Sequence, residues 1–471
     1  MQLHYELAAP VRTWMDAVQT AIDWCKAERQ STDEAHLLRY EVPIEADKPP
    51  LMDILADFDG RRRVFWRDRD DRLQVGGVGE AWSVGGLSWT MRDGLAELVS
   101  ALQDAPGRMR VFGGVCFSGE LRSTGPWKDF GAWRFALPRV EFGIDQDGAW
   151  LALHLKTAPQ RQEDDIVQAL DVLHAFTTPP KPQSKKAAKP LDIADLPDLA
   201  QWTNGVDSAL KDIEAGVFRK VVFARRRRVR FSQDADPMHM FIALSTQEQA
   251  TFRFFVQPAP DSAFFGASPE RLFSLRGDRI LTEALAGTRP RGATDAQDSA
   301  LATELLNSDK DGREHDAVVQ MLTGALQQLS ESVELDRSPQ VMQLTRVQHL
   351  YTPIVARARC RGQVAETLDG LHPTPAVCGS PRDAAQRWIT QNEPFQRGLY
   401  AAPVGWVGGG GDADFTVAIR SALLQDRHLD VFSGAGLVAG SDAQTEWQEI
   451  DHKIAALCDA LEVPWRADDG Q

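Results

Sequence analysis

Apolar residues recur along this chain with two periods. Before residue 179 the recurrence is mostly twofold. RRRVFWRD (61–68) and AWLALHLK (148–155) alternate bulky apolar with polar side chains between glycine-rich turns, which predicts strands. PPKPQSKKAAKP (179–190) carries four prolines and four lysines, has no apolar face to bury, and reads as a solvated linker or surface insertion. Beyond it the pattern sharpens. Trp202, Val206, Leu210 and Ile213 predict a helix over 196–215 that Gly216 can end. FRKVVFARRRRVRF (218–231) follows as a strand in which Lys220 shares a face with Val222 and Ala224, making its amine a candidate for burial.

Residues 264–292 predict a strand, a turn at Ser268-Pro269, a hairpin about Gly277-Asp278 and a second strand ending at Gly287. Residues 307–329 open with capping residues and continue as an amphipathic helix through Val318, Val319, Leu322 and Leu326. A proline-stiffened loop (371–388) leads into a helix near Arg382, and Gly409 to Gly411 read as a hairpin loop. DFTVAIRSALL (414–424) and HLDVFSGAGLVAG (428–440) look like neighbouring strands, and 441–461 like a helix capped by Ser441 or Asp442. Helices among antiparallel hairpins define an α+β chain. Its divisions by composition are an N-terminal part (1–178), the Pro/Lys-rich linker or insertion (179–195) and a second part (196–465).

Charge narrows the partners. With 52 Lys+Arg against 67 Asp+Glu the formal net charge is −15, the wrong sign for a general nucleic-acid binder, so an anionic ligand must meet a local positive site. No apolar run approaches the ~20 residues that cross a bilayer, and MQLHYELAAPVRTWMD lacks a basic region followed by an apolar stretch. Five scattered cysteines without a CxxC pair fit reduced thiols in a cytoplasm.

The candidate chemistry lies after residue 216. At ~100° per residue, Glu446, Glu449 and Lys453 fall within roughly 60° of one another on the last helix. Glu314 and His315 sit in the first turn of another helix. Mg²⁺ usually takes one or two protein carboxylates, so Glu314 with Glu449 is a candidate pair; the plainer reading is solvated helix acids. Arg420 offers a guanidinium fork to a carboxylate, or else makes a structural ion pair. Gly434, Gly436 and Gly440 precede a helix and offer backbone N–H groups to an anion. Lys220 and Glu270 are a possible base and acid, since burial drives a lysine toward neutrality and a glutamate toward protonation; each could equally be an ordinary structural residue. Arg225 to Arg228 invite a nucleic-acid reading, but without a basic domain around them a solvated strand end is preferred. GxxxxGK[ST], GxSxG, HExxH and a GxGxxG between strand and helix are all missing.

Ten blocks recur in one order between Gly216 and Lys453: GVFRKVVFAR, FFGASPERL, LAGTRPRG, LLNSDKDGREHDAVV, VQHLYTPI, LHPTPAVCG, RGLYAAPVGW, VAIRSALL, SGAGLVAGSD and EWQEIDHK. Together they resemble the chorismate-utilising enzymes and, within them, the isochorismate synthases. The resemblance implies a large single chorismate-binding α+β fold that includes the N-terminal part, and Mg²⁺-dependent conversion of chorismate to isochorismate. It implies that Lys220 is the base activating water for attack at C2 and Glu270 the acid protonating the departing C4 hydroxyl. Glu314 and Glu449 would hold Mg²⁺, with Glu446 nearby or a second ligand. Tyr400 and Arg420 would take the enolpyruvyl carboxylate, Gly434, Gly436 and Lys453 would complete the anion cradle, and His349 would approach the ring, as would Ala286, Gly287 and Thr288 of LAGT.

Two alanines separate branches of the family. Ala286 stands where aminodeoxychorismate synthases carry a nucleophilic lysine, which implies water as nucleophile. Ala376 stands where salicylate and anthranilate synthases tend to have threonine, which favours stopping at isochorismate. A salicylate synthase, which continues to pyruvate elimination, is the alternative; a non-catalytic protein that kept the scaffold would have lost Lys220, Glu270 or Glu314. The chain departs mildly from the family at Ala402, where glycine is common. The implied partners are chorismate alone, with no nucleic acid, membrane or glutamine amidotransferase subunit, in a cytoplasmic monomer. Its product would feed menaquinone, siderophore or salicylate synthesis.

Overall fold

The computed structural model describes residues 2–27, 36–46, 48–87, 91–121, 124–157, 162–177, 189–247, 250–336, 338–344 and 347–464. Within them the strands form two large sheets. The first has thirteen strands in the order 2–7, 36–44, 148–157, 140–145, 73–78, 63–67, 252–259, 262–268, 421–425, 428–437, 220–231 and 190–196, with 379–380 beside 220–231. The second has ten in the order 330–335, 347–358, 279–290, 271–276, 413–417, 403–408, 110–115, 133–137 and 82–86, with 340–343 beside 347–358. Every pairing between these strands is antiparallel except that of 2–7 with 36–44. The α+β class therefore holds.

Strands from before residue 179 join directly to strands from beyond 250 in both sheets. Arg63–Arg67 pairs with Phe252–Ala259, and Arg110–Val115 with Pro403–Gly408. One apolar core runs through both halves and includes the buried indoles of Trp66, Trp150, Trp202 and Trp406. Burying rings of that size supplies the largest single share of such a core. No helix among the described residues is long and apolar enough to cross a membrane.

Several elements follow the sequence pattern closely. The helix Leu199–Glu214 is capped by Asp198, whose side chain accepts from Gln201 N while Gln201 answers to the cap's own N–H. Asp309–Leu329 is capped by Ser308, and Ala443–Ala460 by Asp442. The hairpin turn is Gly277-Asp278, between Arg276 and Arg279.

Three expectations need correction. Of the stretch given to the linker, residues 179–188 lie outside the described residues, but Pro190–Leu196 is an edge strand paired with Arg226–Phe231. Its polar composition reflects an edge with one solvated face, held by Asp195 against Arg227. Residues 414–424 are two strands, not one: Ala413–Val417 belongs to the second sheet and Ser421–Gln425 to the first. The chain crosses between sheets at 418–420, turning on Arg420 with φ +49°. Finally, Arg225 to Arg228 are no solvated strand end. Arg225 is fully buried and Arg227 nearly so, because Asp195, Asp430 and Asp451 converge on them from three remote segments.

Candidate active site

The site lies where strands leave one sheet for the other. Ser262–Ser268 ends in the first sheet, Pro269 and Glu270 form the crossing, and Arg271–Arg276 starts in the second. The Val417 to Ser421 crossing runs alongside in the opposite direction. Strand partners are lost at such a split, so the two crossings satisfy each other: Val417 N donates to Glu270 O (3.0 Å), Ser268 Oγ to Val417 O (2.6 Å) and Ala267 N to Arg420 O (3.1 Å). A third corner joins them, where Ala401 N donates to Ala418 O and Ala418 N to Ala402 O. Ala401 and Arg420 both hold a left-handed backbone, which costs a non-glycine residue roughly 1 kcal/mol each and persists only in a well-determined setting. The left-handed residue is Ala401, so the alanine at 402, fully buried, demands no glycine.

Glu270 is recessed at this crossing. Burial pushes its carboxyl up to about 7, the Glu283 charge adds to the shift, and the Lys220 ammonium opposes it. Lys220, at the start of the strand Lys220–Phe231, has a side chain 21% exposed, and its Nζ lies 3.5 Å from Glu314 Oε1. It reaches there across Gly436: a Cβ on that glycine would stand 2.8 Å from Lys220 Cε. Gly434, two residues earlier, pairs with Ala224, and its carbonyl accepts from Lys453 Nζ at 3.2 Å. Both glycines serve first by leaving space, since a Cβ on Gly434 would meet Val222, the Phe223 carbonyl and, at 3.4 Å, the Tyr400 hydroxyl.

Tyr400 is buried, stacked on Phe432 with centroids 5.0 Å apart, and burial raises its phenol well above the ordinary tyrosine range. His349 comes from the strand Val347–Ala358, opposite Thr288; the bulge between them at Ala286/Thr288 is made by Gly287 with φ +69°. Its Nδ1 lies 3.1 Å from Gly287 O and 3.0 Å from Thr288 Oγ1, which sets Nδ1–H as donor to the carbonyl. Burial lowers this imidazole to about 4, and the Arg420 and Lys453 charges push the same way, so it is neutral at pH 7. Those two cations and His349 thus face one region. Ala376 sits in a turn closed by Val377 N and Cys378 N on Thr374 O, and that loop docks on Lys220 through Ser380. Arg397 fixes the dock. It bonds Glu393, the Val377 carbonyl and the Val222 carbonyl, while Glu393 Oε1 accepts from Ala224 N. Neither Arg397 nor Glu393 is marked by the sequence pattern, since both lie in the loop after the helix Arg382–Asn392 and only the fold buries them together.

The acids expected to hold Mg²⁺ do not close into a cluster of their own. Glu449 pairs with Lys453 at 2.7 Å and Glu314 with Lys220, and among the described residues no three His, Cys, Asp or Glu side chains converge as a metal site. The donor set still fits a hard divalent cation. Glu446 is held above the usual carboxylate range by burial and then by the Glu449 charge one turn away, with Ser441, Lys453 and Lys310 opposing; a cation would relieve that repulsion. Mg²⁺ needs only one or two of these carboxylates when water and substrate oxygens complete its shell. Elsewhere in the fold a polar cavity of about 570 Å³, lined by Arg108, Arg110, Arg276 and Trp406 among others, shares no residue with this site.

A recessed carboxyl, a lysine, a neutral imidazole and two further cations thus gather around half-exposed carboxylates. The model of the chorismate-binding enzyme family matches residues 18–462, and the chain belongs to that family. Isochorismate synthases are among the proteins it is similar to. The chloroplastic enzyme of Catharanthus roseus is 34% identical over 363 residues, 75% of this chain and 62% of that one. The salicylate-biosynthesis isochorismate synthase of Pseudomonas aeruginosa is 42% identical over 268 residues, 57% of this chain and 56% of that one. The match therefore spans less than two thirds of either relative. The solved structure of MenF, the menaquinone-specific isochorismate synthase from Escherichia coli, superposes with a TM-score of 0.84 at 28% identity, covering 95% of this chain and 99% of that one.

Proposed function

We propose that this protein is an isochorismate synthase, an isomerase that adds water at C2 of chorismate and expels the C4 hydroxyl. The observation that carries the reading is Glu270, a carboxyl kept protonated to about pH 7 within electrostatic reach of Lys220. Hydroxide leaves poorly, so the departing C4 oxygen needs a proton, and Glu270 supplies it. Lys220 takes a proton from the attacking water, whose oxygen forms the new bond at C2 as the ring double bonds shift and the C4–O bond breaks. One water enters and one leaves, so the product is an isomer.

Arg420 and the Tyr400 hydroxyl receive the enolpyruvyl carboxylate, and His349, neutral with Nδ1–H committed to Gly287, presents Nε2 to the ring region. Lys453 and the backbone around Gly434 and Gly436 complete the anion cradle. Glu314 and Glu449, with Glu446 beside them, would hold Mg²⁺, which when bound neutralises the ring carboxylate. Ala286 offers no amine in place of water, and Ala376, where salicylate and anthranilate synthases tend to have threonine, brings no hydroxyl of its own, which favours stopping at isochorismate. The protein works on chorismate alone, as a cytoplasmic monomer without an amidotransferase subunit.

Incubation of purified protein with chorismate and Mg²⁺, with products separated by chromatography and identified by mass, tests this directly. Isochorismate is the expected product. Salicylate with pyruvate release would make it the salicylate-forming relative, and no turnover at all would make it a non-catalytic scaffold.

A further inference from the structure

Arg225 and Arg227 play no part in the chemistry above, yet they hold the helix that carries half of it. Arg225 has a side chain 0% exposed, donates from Nη2 to Asp451 Oδ1, and lies with its guanidinium carbon 3.8 Å from the centroid of the Trp447 ring. Arg227 Nη2 joins the same Asp451 oxygen at 3.1 Å and binds Asp195 at 2.6 Å. Trp202 donates its indole N–H to Ala443 O and stands edge-on to Trp447. Residues 443, 447 and 451 are successive turns of one helix face, and all three are gripped from the same side. Glu446, Glu449 and Lys453 form a stripe roughly 120° around the axis from that face.

This arrangement is poorly explained by stability. Among the described residues Arg225 Nε and Nη1 have no hydrogen-bond partner, and the Asp195 carboxylate lies 3.9 Å from Nε. A buried, partly satisfied ion pair is usually matched or bettered by apolar side chains of similar volume. What a fixed guanidinium, a stacked indole and a shared carboxylate do provide is a defined helix rotation. Turning the helix by about 20° would move a carboxylate at its rim by about 2 Å.

We propose that Arg225, Arg227, Trp447 and Asp451 are positioning residues that set the rotation of the helix Ala443–Ala460 and thereby aim Glu446, Glu449 and Lys453 into the active site. The inference rests on the function proposed above. It is tested with two variants in the full-length protein, Asp451→Asn and the double variant Arg225→Met/Asp451→Asn, the second removing both charges while keeping apolar bulk. Three quantities are measured beside wild type: Tm, amide hydrogen exchange over 443–455, and steady-state rates with chorismate and Mg²⁺ titrated separately.

Asp451→Asn should speed exchange in the helix and raise both KM for chorismate and the half-maximal Mg²⁺ concentration about tenfold, as expected for a misplacement of under 1 Å, with kcat largely recovered at saturation. The double variant should regain most of the lost Tm and none of the lost KM. A double variant that recovers Tm and KM together would make the cluster purely structural and overturn the proposal, as would unchanged exchange and unchanged KM in Asp451→Asn. If wild type itself fails to turn over chorismate, the functional reading is lost, while the exchange comparison still decides whether Asp451 fixes the helix.

Discussion

Gly436 offers a way to move the proposed base without touching it. In Gly436→Ala the new methyl would stand 2.8 Å from Lys220 Cε and 3.4 Å from Nζ, with nothing else within 4 Å. The first distance is too short for carbon atoms, so the lysine tip must swing aside by several tenths of an ångström to about 1 Å. The folding cost is small because the displaced group is the end of a flexible chain, and alanine in a strand regains roughly 0.5–1 kcal/mol of backbone entropy over glycine. Tm should therefore stay within about 2 °C of wild type. The reaction is less forgiving: displacing a reacting group by about 1 Å costs up to about 10²-fold, or roughly 2.7 kcal/mol at the transition state. A coupled assay with an isochorismate-consuming enzyme, run beside Lys220→Ala, should show Gly436→Ala about 10- to 100-fold slower in kcat. A Gly436→Ala protein within about twofold of wild type, when Lys220→Ala is inactive, would refute the claim that the amine's resting place over Gly436 is its working position.

Three further expectations follow from the same geometry. Because the Glu270 carboxyl is protonated below about 7 and ionised above it, its ionisation should make kcat/KM fall by about tenfold per pH unit above 7; Glu270→Gln should abolish that limb along with about 10²–10⁴-fold of rate, and a persisting limb would belong to another group. Chelation should remove turnover and added Mg²⁺ restore it, while Glu449→Gln should raise the Mg²⁺ requirement about tenfold; full rate after chelation would eliminate the metal. Arg397→Met leaves Glu393 buried without its partner and should cost about 3–5 kcal/mol in urea unfolding, and a loss under about 1 kcal/mol would show that the backbone contacts of Glu393 suffice.

The sequence pattern reveals whatever depends on near neighbours. The parity that set Lys220 with Val222 and Ala224, the capping residues opening 307–329, the cap at Ser441 or Asp442, the Gly277-Asp278 turn and the Glu449 to Lys453 spacing are all local, and the structure has each of them, with Ser308 and Asp442 as the caps. The break at 418–420 is different. Apolar residues continue through Val417, Ala418 and Ile419, and the left-handed turn falls on an arginine, so no glycine or proline marks it. The arginine run misled for a related reason: its neutralising acids are Asp195, Asp430 and Asp451, which only the tertiary fold brings together. A short-range reading sees four like charges in a row and assigns them to solvent.

On the proposed function, the two crossings would let an acidic chain receive a dianion. Each carries one of the groups proposed to react or bind, Glu270 on one and Arg420 on the other, and their mutual hydrogen bonds hold those groups on a rigid split instead of a loop. The lysines come from elsewhere and arrive already paired, Lys220 with Glu314 and Lys453 with Glu449. On the proposed function Glu449 masks Lys453, a cation for the substrate, and the two lysines mask acids that would hold the metal. A substrate carboxylate taking Lys453 and a divalent ion taking the freed Glu449 would each relieve the charge the other leaves unpaired, whereas either entering alone would leave one side uncompensated. Chorismate and Mg²⁺ should accordingly strengthen each other's binding, by the same factor in both directions. Isothermal titration of Mg²⁺ with and without a non-reacting chorismate analogue measures that factor, and a value of one would mean that the lysine–glutamate pairs stay intact when the site fills.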